Sequence, residues 1–138
     1  MYRLVYVSAA TVAFSKADLL DLLTKARDKN QKAGITGMLL YHDGDFLQLI
    51  EGERSAVQSL FEVIKADPRH SGTIVVDEEE ADERVFADWS MGFRDLSDPA
   101  VQATPGFTQY MNTPLVAESF AKHPSTALQL LSMFKPAY

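Results

Sequence analysis

The chain has 138 residues, a formal net charge of −6 at pH 7, 46% hydrophobic residues and no cysteine. This length is enough for one domain with its own core. The lack of cysteine excludes a disulfide framework, a thiolate nucleophile and a zinc–thiolate site. The acidic balance argues against nucleic acid as a partner, because phosphates would be repelled. No apolar run reaches the length of a membrane span and no signal peptide is recognisable, so neither a membrane partner nor export is expected, and the expected location is cytoplasmic.

The spacing of apolar residues predicts seven regular elements in the first two thirds of the chain. Helical spacing recurs twice, and a glycine or a proline marks the end of each helix. Apolar and polar residues alternate in the strands, two of which are joined by Asp43-Gly44, a pair that favours a tight hairpin. In chain order we expect a strand at 2–8, a helix at 15–31, strands at 36–42 and 46–51, a helix at 54–66, and strands at 73–77 and 84–94.

The order β-α-β-β-α-β-β predicts an α+β protein with a ferredoxin-like fold, in which two helices cover one face of a five-stranded mixed sheet. Residues 96–138 are interrupted by prolines, and short helices are expected at about 114–122 and 125–134. These helices either cover the other face of the sheet, which is the simpler reading, or dock on a partner. The predicted division is a domain at 1–95 followed by a C-terminal helical extension at 96–138 that packs on the sheet.

Most motifs of enzymes are missing. The chain has no Gly-rich phosphate loop, and its serines have no histidine and carboxylate at the spacing of a triad. His42, His70 and His123 lack the spacing of metal ligands. An acylphosphatase-like hydrolase shares the predicted fold, but residues 7–11 lack the Gly-rich cradle for phosphate that it requires. The acidic run at 77–83 is expected to be a solvated loop or sheet edge rather than a cation site.

Three polar residues are expected to face inward and to converge. Gln48 shares a strand face with Phe46 and Ile50, so it should be buried, where an amide without partners is costly. The first and third strands of this topology are neighbours, which brings Tyr6 beside Gln48, and Asn30 ends the helix that packs over the same face. A phenol and two carboxamides suit a planar hydrogen-bonding ring, because they offer donors and acceptors but little acid–base power. The alternative is that Tyr6 and Gln48 only satisfy each other in the core.

Five separated motifs give the chain a family resemblance. They are RLVYVS at 3–8, Asn30 with ITGMLLY at 35–41, FLQLIEG at 46–52, DPRH at 67–70 and FADWSM at 86–91. In this order they resemble the BLUF family of blue-light sensors, which bind FAD, and the resemblance covers about residues 1–95.

The resemblance implies roles for individual residues. Tyr6 would donate an electron and a proton to the photoexcited flavin, Gln48 would bridge Tyr6 and the ring, and Asn30 would hydrogen-bond a ring carbonyl. Leu22 and Ile64 would line the isoalloxazine. The nearest cations for the phosphates are Arg27, Lys29 and Arg69. Relay of the signal would pass through Ser8, Trp89 and Met91, although Trp89 and Met91 also fit ordinary core positions on an alternating strand.

The mechanism that the resemblance implies involves no covalent bond to the cofactor. Transfer from Tyr6 would leave the hydrogen bonds of Gln48 rearranged, by rotation or tautomerisation, with a small red shift of absorption. Nothing after residue 95 resembles a cyclase, a phosphodiesterase or a DNA-binding module. The expectation is therefore a photoreceptor without a catalytic output domain, which signals to a separate protein or through a homo-oligomer. A ferredoxin-like ligand-binding module without photochemistry and the acylphosphatase-like hydrolase are the alternatives.

Overall fold

The computed structural model describes residues 1–87, 90–96, 98–99, 115–116, 120 and 125–133. Most of the helix predicted at 114–122 lies outside these residues, and so does Trp89. No helix in the described part of the chain is both long enough and apolar enough to cross a membrane. The elements are β1 (Tyr2–Ala10), α1 (Lys16–Ala33), β2 (Thr36–His42), β3 (Asp45–Gly52), α2 (Arg54–Ala66), β4 (His70–Glu80), β5 (Gly92–Asp95) and α3 (Ser125–Met133).

The strands form one mixed sheet in the order β4-β1-β3-β2-β5. β1 pairs antiparallel with β3 and β4, and β2 pairs antiparallel with β3. β5 runs parallel to β2 at the edge of the sheet. This arrangement confirms the α+β, ferredoxin-like prediction with its fifth strand.

Each face of the sheet has its own core, because side chains alternate between the two faces of a strand. The face covered by α1 and α2 carries the even-numbered residues of β1 and β3, among them Leu4, Tyr6 and Ile50. The odd-numbered residues point to the opposite face, where Val5, Val7, Leu47 and Leu49 form a cluster with Ala127, Leu130 and Leu131 of α3. The division of the chain at residue 95 stays a prediction.

Local signals set the start of α1 and the hairpin. The Ser15 side chain accepts from the Asp18 amide at 3.1 Å, and the Asp18 carboxylate accepts from the Ser15 amide at 3.0 Å, which is the expected capping box. At the hairpin, Asp43 and Gly44 have φ values of 47° and 87°. A two-residue turn that follows the twist of its strands requires positive φ at both positions, so this pair fixes the β2–β3 register.

The strands β4 and β5 differ most in length from their predictions. β5 is confined to Gly92–Asp95 because, upstream, the amides of Val85 and Phe86 donate to the Glu51 carboxylate instead of a neighbouring strand. β4 is longer than predicted and includes part of the acidic run. In this part of the run, Glu79 pairs with the Arg3 side chain on β1. That part of the run lies at the edge of the sheet.

Candidate functional site

A cavity of about 230 Å³ lies between α1, α2 and the sheet. Its walls are mainly apolar where the two helices face each other. The helices contribute Leu22, Leu23, Ala26, Leu60, Val63 and Ile64. Leu22 and Ile64, which the resemblance assigns to the flavin ring, thus both line the cavity. Phe14, Leu39 and Phe46 add further apolar surface. A largely apolar slot with a few convergent polar groups is the usual form of a cofactor site.

Tyr6 and Gln48 meet on the sheet side of this cavity. They are direct partners in the β1–β3 register and are 4% and 8% exposed. The Tyr6 hydroxyl donates to Gln48 Oε1, while Gln48 Nε2 donates to Met91 Sδ at 3.3 Å. Because both ends of the amide have partners, the orientation of Gln48 is coupled to the position of Met91.

The Tyr6 phenol is held in its protonated form. Burial raises its pKa far above the ordinary value of 10.0, and the negative charge of Asp67 raises it further. At neutral pH the proton therefore stays on Tyr6, and it points at the oxygen of Gln48.

Asn30 is 3% exposed and lines the cavity from the end of α1. Its main-chain carbonyl accepts from the Ile35 amide at 2.9 Å, which ties the residue to the turn before β2. Its side-chain Nδ2 donates to the Ser90 carbonyl at 3.0 Å. The structure thus brings together the three polar residues that the sequence singled out, and it adds a contact from Asn30 to the segment before β5.

The three cations expected near the flavin phosphates differ in whether they line the cavity. Lys29 and Arg69 line the cavity, whereas Arg27 is not among its lining residues and donates from Nε to the Met91 carbonyl at 2.8 Å. Arg69 is held by Asp67, with Nε 3.0 Å from Oδ1. This hydrogen bond lowers the pKa of Asp67 to about 2.

Asp67 and Lys25 also line the cavity, and sequence reasoning missed both. For Asp67 a signal was available, because it opens the DPRH motif, but only the arginine of that motif was considered. Lys25 has no distinguishing sequence signal: it reaches the cavity because α1 turns that face toward α2.

Ser8 provides an independent test of whether a polar ligand fits. Its side chain lines the cavity, the residue is 5% exposed, and its Oγ has no hydrogen-bond partner among the described residues. Buried hydroxyls are nearly always paired, so this one fits a polar ligand atom. The fold and the cavity are therefore those of a ferredoxin-like domain suited to a largely apolar ligand with some polar atoms.

Comparison with known proteins identifies the class. The model of the BLUF family, described as sensors of blue light using FAD, matches residues 1–92. Photoactivated adenylate cyclase subunit alpha of Euglena gracilis is 40% identical over 86 residues, which are 62% of this chain and 8% of that protein. Subunit beta of the cyclase of Euglena longa is 37% identical over 89 residues, or 64% and 10% of the two chains. This chain therefore spans about a tenth of the length of these curated relatives.

Solved structures of three proteins are also similar to this chain. BlrB, a BLUF protein in its dark state, is 32% identical with a TM-score of 0.76, covering 96% of this chain and 92% of that one. The photo-activated state of BlsA is 29% identical with a TM-score of 0.72, covering 99% and 98%. BlrP1 of Klebsiella pneumoniae with FMN and cyclic diGMP is 29% identical with a TM-score of 0.66, covering 90% and 35%. The chain belongs to the BLUF family of flavin-using blue-light sensors.

Proposed function

We propose that this protein is a blue-light photoreceptor that holds FAD non-covalently between α1 and α2. The observation that supports this most directly is the Tyr6–Gln48 hydrogen bond on the cavity wall of a chain from a family of flavin-using light sensors. When bound, the flavin supplies absorption of blue light and, once excited, a strong one-electron oxidant.

The cavity residues are assigned to holding the ring and the phosphates. Leu22 and Ile64, from facing helices, would pack on the ring. The Asn30 amide would donate to a ring carbonyl, and the carboxylate of Asp67 would accept from the ring N–H. For the phosphates we propose Lys29 as the main cation, because the charges of Arg69 and Lys25 are already paired with Asp67 and Asp21.

Tyr6 and Gln48 carry the proton chemistry. In the dark the proton remains on the buried phenol, hydrogen-bonded to Gln48 Oε1. If Tyr6 lost an electron to the excited flavin, its phenol would become strongly acidic, so its proton would pass to Gln48 Oε1 while Gln48 Nε2 would release a proton toward the flavin. When one electron and one proton have returned from the flavin to Tyr6, the amide would be left rearranged, with Nε2 no longer directed at Met91 Sδ. Relay by Gln48 is possible because a carboxamide is both a donor and an acceptor.

The light-induced change would pass from the flavin site to the rest of the protein through β5. Met91 belongs to the core under α1 and α2, whereas Leu96, directly after β5, belongs to the core that includes α3. A displacement of Met91 along this short strand would therefore reach the second face of the sheet. We propose that the signal appears as a changed affinity for a separate protein or for another copy of the chain, without catalysis.

An absorption spectrum of the purified protein, before and after blue light, tests the proposal. We expect flavin bands that shift slightly to the red and relax in the dark, and chromatography of the released cofactor should identify FAD rather than FMN. Tyr6→Phe is the matched variant, since it removes one hydroxyl and keeps the ring, and it should remain yellow without the shift. Wild-type protein that stays colourless after addition of FAD, or that binds flavin but does not shift, would contradict the proposal.

A further inference from the structure

Two neighbouring carbonyls hold the segment before β5 to α1. Nε of Arg27 donates to the Met91 carbonyl at 2.8 Å, and Nδ2 of Asn30 donates to the Ser90 carbonyl at 3.0 Å. Arg27 and Asn30 are three residues apart on α1, so their side chains lie on one face of the helix. Helix α1 therefore holds the main chain directly before β5, the last strand of the sheet.

The side chain of Met91 faces the photoactive pair in the same conformation. Met91 Sδ accepts from Gln48 Nε2 while the Met91 carbonyl accepts from Arg27. Any change that favours the Arg27 contact therefore favours the Met91–Gln48 contact as well. Arg27 carries a permanent charge, which makes its hydrogen bond the stronger of the two that hold the segment.

We propose that Arg27 is a positioning residue for the photocycle: it keeps Met91 against Gln48 and so sets how fast the protein returns to the dark state. This inference rests on the proposed function. It assigns Arg27 a role other than contact with the flavin phosphates, in keeping with its position outside the cavity lining.

The direction of the change in the recovery rate follows from the orientation of the Gln48 amide. The conformation in which Gln48 accepts from Tyr6 and donates to Met91 is the dark arrangement, and recovery must rebuild it. Loss of the Arg27 bond weakens this arrangement relative to the lit one. A hydrogen bond from a charged group shifts an equilibrium by about tenfold or more, and part of that shift appears in the rate. We expect recovery of Arg27→Gln to be about three- to tenfold slower than that of the wild type.

The test compares Arg27→Gln with Lys32→Gln, which removes the same charge from the same helix. Lys32 is 76% exposed at its side chain and pairs with Asp28 on α1. Both variants should keep bound flavin and the full red shift, because Tyr6 and Gln48 are unchanged. Recovery should slow in Arg27→Gln alone, and Arg27→Lys, which retains a charged donor, should restore part of the rate. Equal recovery in the three variants and the wild type, or faster recovery in Arg27→Gln, would overturn the inference.

Infrared spectroscopy separates this role from a general loss of stability. With methionine carrying a ¹³C main-chain carbonyl, the Met91 band is the one that disappears in Met91→Leu. Without the Arg27 donor, the Met91 carbonyl band should move to higher frequency in darkness. A band that stays in place in Arg27→Gln would also overturn the inference. Failure of the proposed function would look different, because the wild type itself would then show no light-induced shift.

Discussion

Glu51 offers the sharpest test of how the segment after β4 is anchored. Its side chain is fully buried, at 0% exposure, and its carboxylate accepts three hydrogen bonds. The amides of Val85 and Phe86 donate at 2.8 and 2.7 Å, and the Thr36 hydroxyl donates at 3.0 Å. The Arg84 guanidinium in turn donates to the Thr36 oxygen at 2.9 Å. The buried side chain is thus stabilised by hydrogen bonds, and no ion pair to Glu51 is found among the described residues.

The two substitutions at Glu51 should differ in a graded way. Glu51→Ala leaves two main-chain amides without acceptors, and each buried orphan donor costs about 1–3 kcal/mol, so we expect a loss of about 2–6 kcal/mol in the free energy of unfolding. In Glu51→Gln, the amide oxygen can replace Oε2 for Phe86 and Thr36, and only the Val85 amide then faces another donor. The expected loss is about 1–3 kcal/mol.

Urea denaturation of the flavin-loaded protein measures these losses as changes in midpoint at constant slope. Glu62→Gln is the control, because this carboxylate is 70% exposed and pairs with Lys65 across a turn of α2. It should change stability by no more than about 0.5 kcal/mol. A loss below about 1 kcal/mol in Glu51→Ala, or equal losses in the Ala and Gln variants, would refute the view that Glu51 anchors this segment.

Four further predictions concern the site and its surroundings. Gln48→Leu should retain flavin but lose the red shift in light-minus-dark spectra, because no amide remains to rearrange; a normal photocycle would disprove its role. Tyr6→Phe should leave flavin emission long-lived for lack of an electron donor, and quenching equal to the wild type would contradict this. The pKa of Asp67 is lowered to about 2, so its contribution to stability is complete above its ordinary pKa and is lost as pH falls toward 2. Arg69→Gln should therefore move the midpoint of acid unfolding to higher pH. An unchanged midpoint would count against a stabilising Asp67–Arg69 pair. Gly37→Ala should cost about 2 kcal/mol or more in thermal unfolding, because its Cβ would meet a main-chain carbonyl of β3, and a wild-type Tm would show that the strands can separate there.

Much of the candidate site was predictable because its residues lie on elements with strong local signals. Alternation placed Tyr6 and Gln48 on one face of their strands, and the Asp43-Gly44 turn fixed the register between β2 and β3. The ferredoxin-like order of strands made β1 and β3 neighbours, so the sequence predicted that Tyr6 and Gln48 can touch. Their direct pairing in the β1–β3 register came from the structure.

The parts that sequence reasoning missed depend on contacts between distant segments. Residues 84–87 have a pattern compatible with a strand, but the buried Glu51 carboxylate takes two of their amides, so the strand begins only at Gly92. The acidic end of β4 has low strand propensity and is nevertheless paired, because β1 supplies both a main-chain partner and Arg3.

Local sequence signals predicted the fold class, helices α1 and α2, the hairpin and the inward-facing phenol and carboxamides, because hydrophobic period, caps and turn residues act over a few neighbouring positions. The packing of distant segments sets the contact of Arg27 with the Met91 carbonyl, and it brings the local Asp67–Arg69 pair to the cavity. A charged side chain on a helix has the same local pattern whether it meets solvent, a phosphate or a main-chain carbonyl. Its partner is set by how the helix packs against the sheet, and that depends on the whole core.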